Sequence, residues 1–84
     1  MNILKKFIDD NDLEIGPGSR NTPLTVLCGF ALYKHLTFED VKEALNTDDV
    51  NTNKEAERVF NYAKLNHYHK WWEIEGNRKM YVIE

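Results

Sequence analysis

The run Pro23–Tyr33, PLTVLCGFALY, constrains this chain more than any other feature. Leu24, Val26, Leu27, Phe30, Ala31, Leu32 and Tyr33 leave a helix through it almost no polar face, and a helix that is apolar all round must be buried. A chain of 84 residues has room for one core, so the rest of the molecule has to be built around this helix. Thr22 followed by Pro23 predicts its start, a capping hydroxyl before a proline whose missing N–H does no harm in the first turn, and the pattern carries it to His35. Gly29 permits a neighbour to cross closely. The apolar run is about half the length of a membrane span, and no basic, then apolar leader opens the sequence, so a cytoplasmic protein without a membrane partner is expected.

Three further helices follow from residue patterning. In Asn2–Asn11, Ile3, Leu4, Phe7 and Ile8 share one stripe, which predicts a short amphipathic helix. Leu13–Thr22 breaks that pattern with Gly16-Pro17-Gly18, a loop and the clearest hinge in the chain. Thr37-Phe38-Glu39-Asp40 predicts the next helix start, with Thr37 as cap, Asp40 near the positive end, and an apolar stripe of Val41, Ala44 and Leu45 that stops by Asn46. After the polar turn NTDDVNTN, Thr52-Asn53-Lys54-Glu55 offers a second capping box. The longer helix over Asn53–Tyr68 then buries Ala56, Val59, Phe60 and Ala63 and turns Glu57, Arg58, Asn61 and Lys64 outward.

KWWEIEGNRKMYVIE ends the sequence with two apolar stretches around Gly76, and it predicts a β-hairpin. A three-residue loop, Gly76–Arg78, sets Ile74 against Met80 and Trp72 against Val82, which makes one face apolar. Trp71, Glu73, Glu75, Lys79, Tyr81 and Ile83 then form a wetter face. Adjacent strand residues point to opposite sides, so Trp72 is expected in the core and Trp71 outside it, beside Tyr81 and Ile83. A two-stranded hairpin is marginal alone and must lay its apolar face on the helices. The expected fold class is α+β, mainly helical: a three-helix core, a C-terminal β-hairpin and an extra N-terminal helix, in a single domain over 1–84.

Helix from 23, helix from 38, polar turn, longer helix from 53 and a hairpin tipped with Gly-Asn-Arg-Lys: this order resembles the winged helix-turn-helix family. The likeness covers residues 23–84. LTFEDVKEALN is similar to the second helix of that family, KEAERVFNYAKLNHYHKW to its recognition helix and WWEIEGNRKMYVIE to its wing, while residues 1–22 stand outside as an added helix and loop. The resemblance implies a transcriptional regulator with double-stranded DNA as partner. Asn53, Lys54, Arg58, Asn61 and Lys64 would face the major groove, and Asn77, Arg78 and Lys79 of the wing tip, 76–79, would touch the backbone. A homodimer would read two half-sites.

Winged helices also bind proteins, and the fold does not choose between the two uses. The alternative is an adaptor or inhibitor holding a protein partner through Trp71, Tyr81 and Ile83, or through the acidic Glu39, Asp40 and Glu43. Charge bears on that choice. The net charge of −3 argues against blanket nucleic-acid affinity. Residues 1–53 carry five basic and nine acidic side chains and residues 54–84 six and five, so a polyanion contact belongs to the C-terminal third. Small size and an Asn-, Lys- and Asp-rich composition suit a phage or mobile-element product.

No enzyme, cofactor or metal is expected. The only GxG, Gly16-Pro17-Gly18, contains proline and follows no βα unit, and the single serine, Ser19, sits in no nucleophile elbow. Cys28, alone in an apolar run, reads as a small buried hydrophobe. His67 and His69 lack thiolate or carboxylate ligands at a matching spacing, and the Glu73 and Glu75 pair reads as solvated acids opposite lysine.

Overall fold

The computed structural model describes residues 2–16 and 21–83, so Pro17 and Gly18 of the expected hinge, with Ser19 and Arg20, lie outside the described residues. Among the described residues six helices follow one another: α1 (Ile3–Asp10), α2 (Asn21–Tyr33), α3 (Phe38–Leu45), α4 (Val50–Leu65), α5 (His69–Trp72) and α6 (Glu75–Arg78). The apolar run forms α2, which touches α1, α3, α4 and α5 and carries the buried Leu24, Leu27, Cys28, Phe30 and Ala31. Against it lie Leu4 and Phe7 of α1, Val41 and Ala44 of α3, and Ala56, Val59, Phe60 and Ala63 of α4. Phe7 stacks on Phe30 with ring centroids 4.1 Å apart, and the edge of Trp72 meets both rings, at 5.7 and 5.2 Å.

Helix ends are set by local chemistry. Asn2 caps α1 by accepting from the Leu4 and Lys5 N–H groups, and its amide donates to Asp40 O, tying α1 to α3. Thr37 and Asp40 form the expected capping box on α3. The cap of α4 is not the expected Thr52-Asn53 pair. Asp49 begins the helix earlier by accepting from Thr52 N–H at 2.7 Å and from Thr52 Oγ1 at 2.6 Å, since a carboxylate followed by free N–H groups is the stronger anchor. At the other end α2 stops at Tyr33 rather than His35, and α4 at Leu65 rather than Tyr68. His35 and His67 adopt left-handed φ values of 60° and 56°, so that Leu36 N–H reaches Ala31 O and Tyr68 N–H reaches Ala63 O. Asp12 closes α1 in the same way.

The expected β-hairpin does not form. Among the described residues there is no strand, and the class is small and all-helical rather than α+β. Residues 69–83 turn back on themselves through α5 and α6, with Asn77 N–H and Arg78 N–H both donating to Ile74 O. The side chains expected at a wing tip act as local clamps: Asn77 Nδ2 donates to Trp71 O at 2.8 Å and Arg78 Nη1 to Trp72 O at 2.9 Å. Helical turns satisfy the backbone locally, whereas an isolated pair of strands would leave two open edges. Gly76 therefore sits inside α6. The tail is fastened by Asn11, whose amide exchanges two 2.7 Å hydrogen bonds with the backbone of Val82. Of the proposed apolar face only Trp72 is buried; Ile74, Met80 and Val82 are exposed.

Candidate functional site

Beside α2, Thr25, Val26 and Gly29 line a groove of about 280 Å³ whose other walls are Tyr68, Trp71, Trp72 and Tyr81. Gly29 makes it possible: a Cβ there would lie 3.1 Å from Trp72 Nε1 and 3.6 Å from Tyr68 Cβ, so α5 approaches the backbone of α2 itself. The left-handed turn at His67 delivers Tyr68 and then the two tryptophans to this flank. Their rings lie 5.1 Å apart at 76°, and Tyr81 closes against both, at 6.1 Å from Trp71 and 5.2 Å from Trp72. Helical succession separates the pair, so Trp72 is 2% exposed and Trp71 41%. Among the described residues no charged side chain lines the groove. Partial burial, and Tyr62 beside it, hold the Tyr68 phenol above its ordinary range, so it stays neutral.

The residues expected to read DNA are divided. Lys54, Arg58, Asn61 and Lys64 are exposed on α4, and Asn61 and Lys64 open onto a cleft of about 530 Å³ shared with His35 and Glu57. Arg58, however, is bound by its guanidinium to the Glu55 carboxylate. Asn53 faces the preceding turn, where its Nδ2 donates to Thr47 O at 3.0 Å. Asn77 and Arg78 hold the carbonyls of the two tryptophans, and Arg78 also lies over the Tyr33 ring at 5.9 Å. Lys79 is exposed. The recognition surface and wing tip are not brought together as one free cationic face.

Among the residues expected to hold a protein, Trp71 and Tyr81 meet in the groove. Ile83 does not join them; it packs toward α1 in a small cleft with Ile3 and Phe7. Glu39 and Glu43 point to solvent on α3, whereas the Asp40 carboxylate accepts from Thr37 N–H at 2.8 Å and Thr37 Oγ1 at 3.0 Å within the capping box. Cys28 is buried, and desolvation pushes its thiol up to about 12, which keeps it protonated and unreactive. The His67 and His69 rings lie edge to face at 5.8 Å, and no group of three metal-ligating side chains occurs among the described residues.

Thr25, Val26, Gly29 and Tyr68 went unrecognised in the sequence as groove residues. Their only signal was Gly29, which marks a close approach without naming the neighbour. Comparison with protein-family models, with curated proteins and with solved structures found no match for this chain. No helix among the described residues is long and apolar enough to cross a membrane.

Proposed function

We propose that this chain is a protein-binding domain that seats an apolar side chain of its partner in the groove between α2 and the aromatic C-terminal segment. One observation carries the reading: of the eight large hydrophobic side chains exposed among the described residues, Trp71, Ile74, Met80 and Val82 fall on residues 71–82, and Trp71 lines a groove whose described walls carry no charge. Half-exposed aromatics beside an apolar depression are the usual anchors of protein interfaces, and a concentration of this kind marks a docking face. The acidic balance of the chain and the engaged Arg58, Asn77 and Arg78 favour protein over nucleic acid.

A random peptide library panned on the protein and counter-selected on a Trp71→Ala variant tests this. Enrichment of peptides that share a large apolar residue and bind only the parent is the expected result. An enriched set that binds both forms equally would overturn it, as would failure of any set to emerge.

A second reading, DNA binding, keeps one specific support: α3, the turn at 46–49 and α4 retain helix-turn-helix order, with Lys54, Asn61 and Lys64 facing solvent. Retarded migration of random duplex DNA at low salt, abolished by Lys54→Ala with Lys64→Ala, would move the assignment to α4. Unretarded DNA would remove it.

A further inference from the structure

Val82 belongs to no helix or turn, and among the described residues its backbone is bonded by one side chain alone. Asn11, at the end of α1, accepts from Val82 N–H and donates to Val82 O, both at 2.7 Å. An asparagine amide carries an acceptor and a donor side by side, so it pairs with both backbone groups of one residue whatever that residue's side chain is. A third bond, from Asn11 Nδ2 to Phe7 O at 2.9 Å, fixes the orientation of the amide on α1. The clamp is therefore part of the helix, and it reads main chain only.

Side chains beside the clamp do the selecting. Along residues 80–83 burial alternates: Tyr81 and Ile83 pack against the core, while Met80 and Val82 are 69% and 50% exposed. That is the two-residue period of an extended segment laid on a surface. The Tyr81 ring meets Phe7 at 6.0 Å, and Ile83 fills a cleft with Ile3, Phe7 and Phe30 in which about 10 Å³ stays free. Lys6 and Asp10 on the border of the cleft are paired with each other, so the site asks for no net charge in its occupant.

A backbone clamp flanked by apolar seats for alternate side chains is the arrangement by which proteins hold extended peptides: the main-chain bonds give affinity and the seats give selectivity. We infer that the face of α1 carrying Ile3, Phe7 and Asn11, with Phe30 behind it, is a docking site for an extended segment with an aromatic and an aliphatic residue two positions apart, occupied here by the chain's own Tyr81-Val82-Ile83 and open to a partner segment of the same chemistry that displaces it. Because it is tethered, the chain's own segment competes at an effective concentration on the order of millimolar. Tyr81 also walls the groove beside α2, so its release removes that wall, but the site on α1 does not rest on the groove reading.

The probe is acetyl-KMYVI-amide, the sequence of residues 79–83, with acetyl-KMSVS-amide as control, titrated without label into isotope-labelled full-length protein. A Tyr81→Ser, Ile83→Ser variant vacates the seats. The apolar peptide should move the Asn11 side-chain amide and Phe7 N–H resonances of this variant and bind it about tenfold more tightly than it binds the parent, whose own segment competes. The serine peptide should move neither, and adding Asn11→Ala to the variant should abolish the response. Equal affinity for variant and parent, equal response to the two peptides, or undiminished binding without Asn11 would each overturn the inference. The parent gives a test that does not depend on the variant folding: excess apolar peptide should carry the Val82 and Ile83 amides toward random-coil positions while the amides of α4 stay in place. Val82 and Ile83 amides that stay where they are at the solubility limit of the peptide would overturn it as well. Any of these failures leaves the groove reading standing, since that is read on Trp71.

Discussion

The α3–α4 half and the segment from Tyr68 to Ile83 are held by opposite means. Residues 37–65 are fixed redundantly: each helix has a side-chain cap, each has a stripe of buried residues, and both rest on α2. The C-terminal segment has two four-residue helices without side-chain caps and one fully buried side chain, Trp72. It is kept in place by that indole and by side-chain amide and guanidinium groups clamping main-chain carbonyls. Redundant anchoring makes a scaffold. A segment with a single fully buried side chain leaves the neighbours of that residue free to face outward, and it is there that Trp71, Ile74, Met80 and Val82 are exposed.

The largest test of this contrast is Trp72→Ala. It removes the contact common to Phe7, Phe30 and Tyr81 and should destabilise the protein by about 3–5 kcal/mol, read by urea unfolding. A loss below about 1 kcal/mol would mean that the clamps alone hold the segment. Asn11→Ala comes next. It deletes both bonds to Val82 and should cost about 1–2 kcal/mol locally, so that hydrogen exchange speeds up near residues 80–83 while the amides of α4 keep their protection. Equal loss in both places would show one cooperative unit and dissolve the distinction.

A smaller effect belongs to the scaffold. Hydrogen bonds from the Thr52 side chain and backbone hold the Asp49 carboxyl below its ordinary 3.8. Its folded form therefore favours the carboxylate: the contribution to stability is complete above about pH 5 and drains away as pH falls through the depressed value. Asp49→Ala should lower the thermal midpoint by a few degrees at neutral pH, with the gap from the parent narrowing on acidification. The smallest effect is a gain. His67→Gly relieves a left-handed residue, offset by added freedom in the unfolded chain, and should stabilise by about 0.5 kcal/mol in thermal unfolding.

The same contrast separates what could be read in the sequence from what could not. The burial of α2, the stripe of α1 and the Thr37–Asp40 box were legible because periodicity and capping are local and repeat over several turns. The segment around Gly76 was not. α5 and α6 are too short to show a period, and a glycine between apolar stretches reads as a turn when here it occupies an ordinary helical position. Asp49 was passed over as a cap because Val50 looked like an anchor within a loop, though it is 62% exposed at the first position of α4. Trp72 was placed correctly in the core and Trp71 outside it, on strand geometry that the molecule does not use. Consecutive residues of a helix also diverge, by about 100°. Asn53, Asn77 and Arg78 had suitable chemistry for a nucleic acid, but their side chains are engaged by the chain's own carbonyls, a commitment that composition cannot reveal.

The chain has two tryptophans, and both stand in the same groove with their rings 5.1 Å apart and nearly perpendicular. Indoles so close and so angled share their electronic excitations, so their coupled signal in circular dichroism and their ultraviolet emission both arise from this one place. The protein thus carries a built-in optical gauge: with excitation beyond the tyrosine absorption band, whatever enters or empties the groove is recorded by its two indoles, without a label.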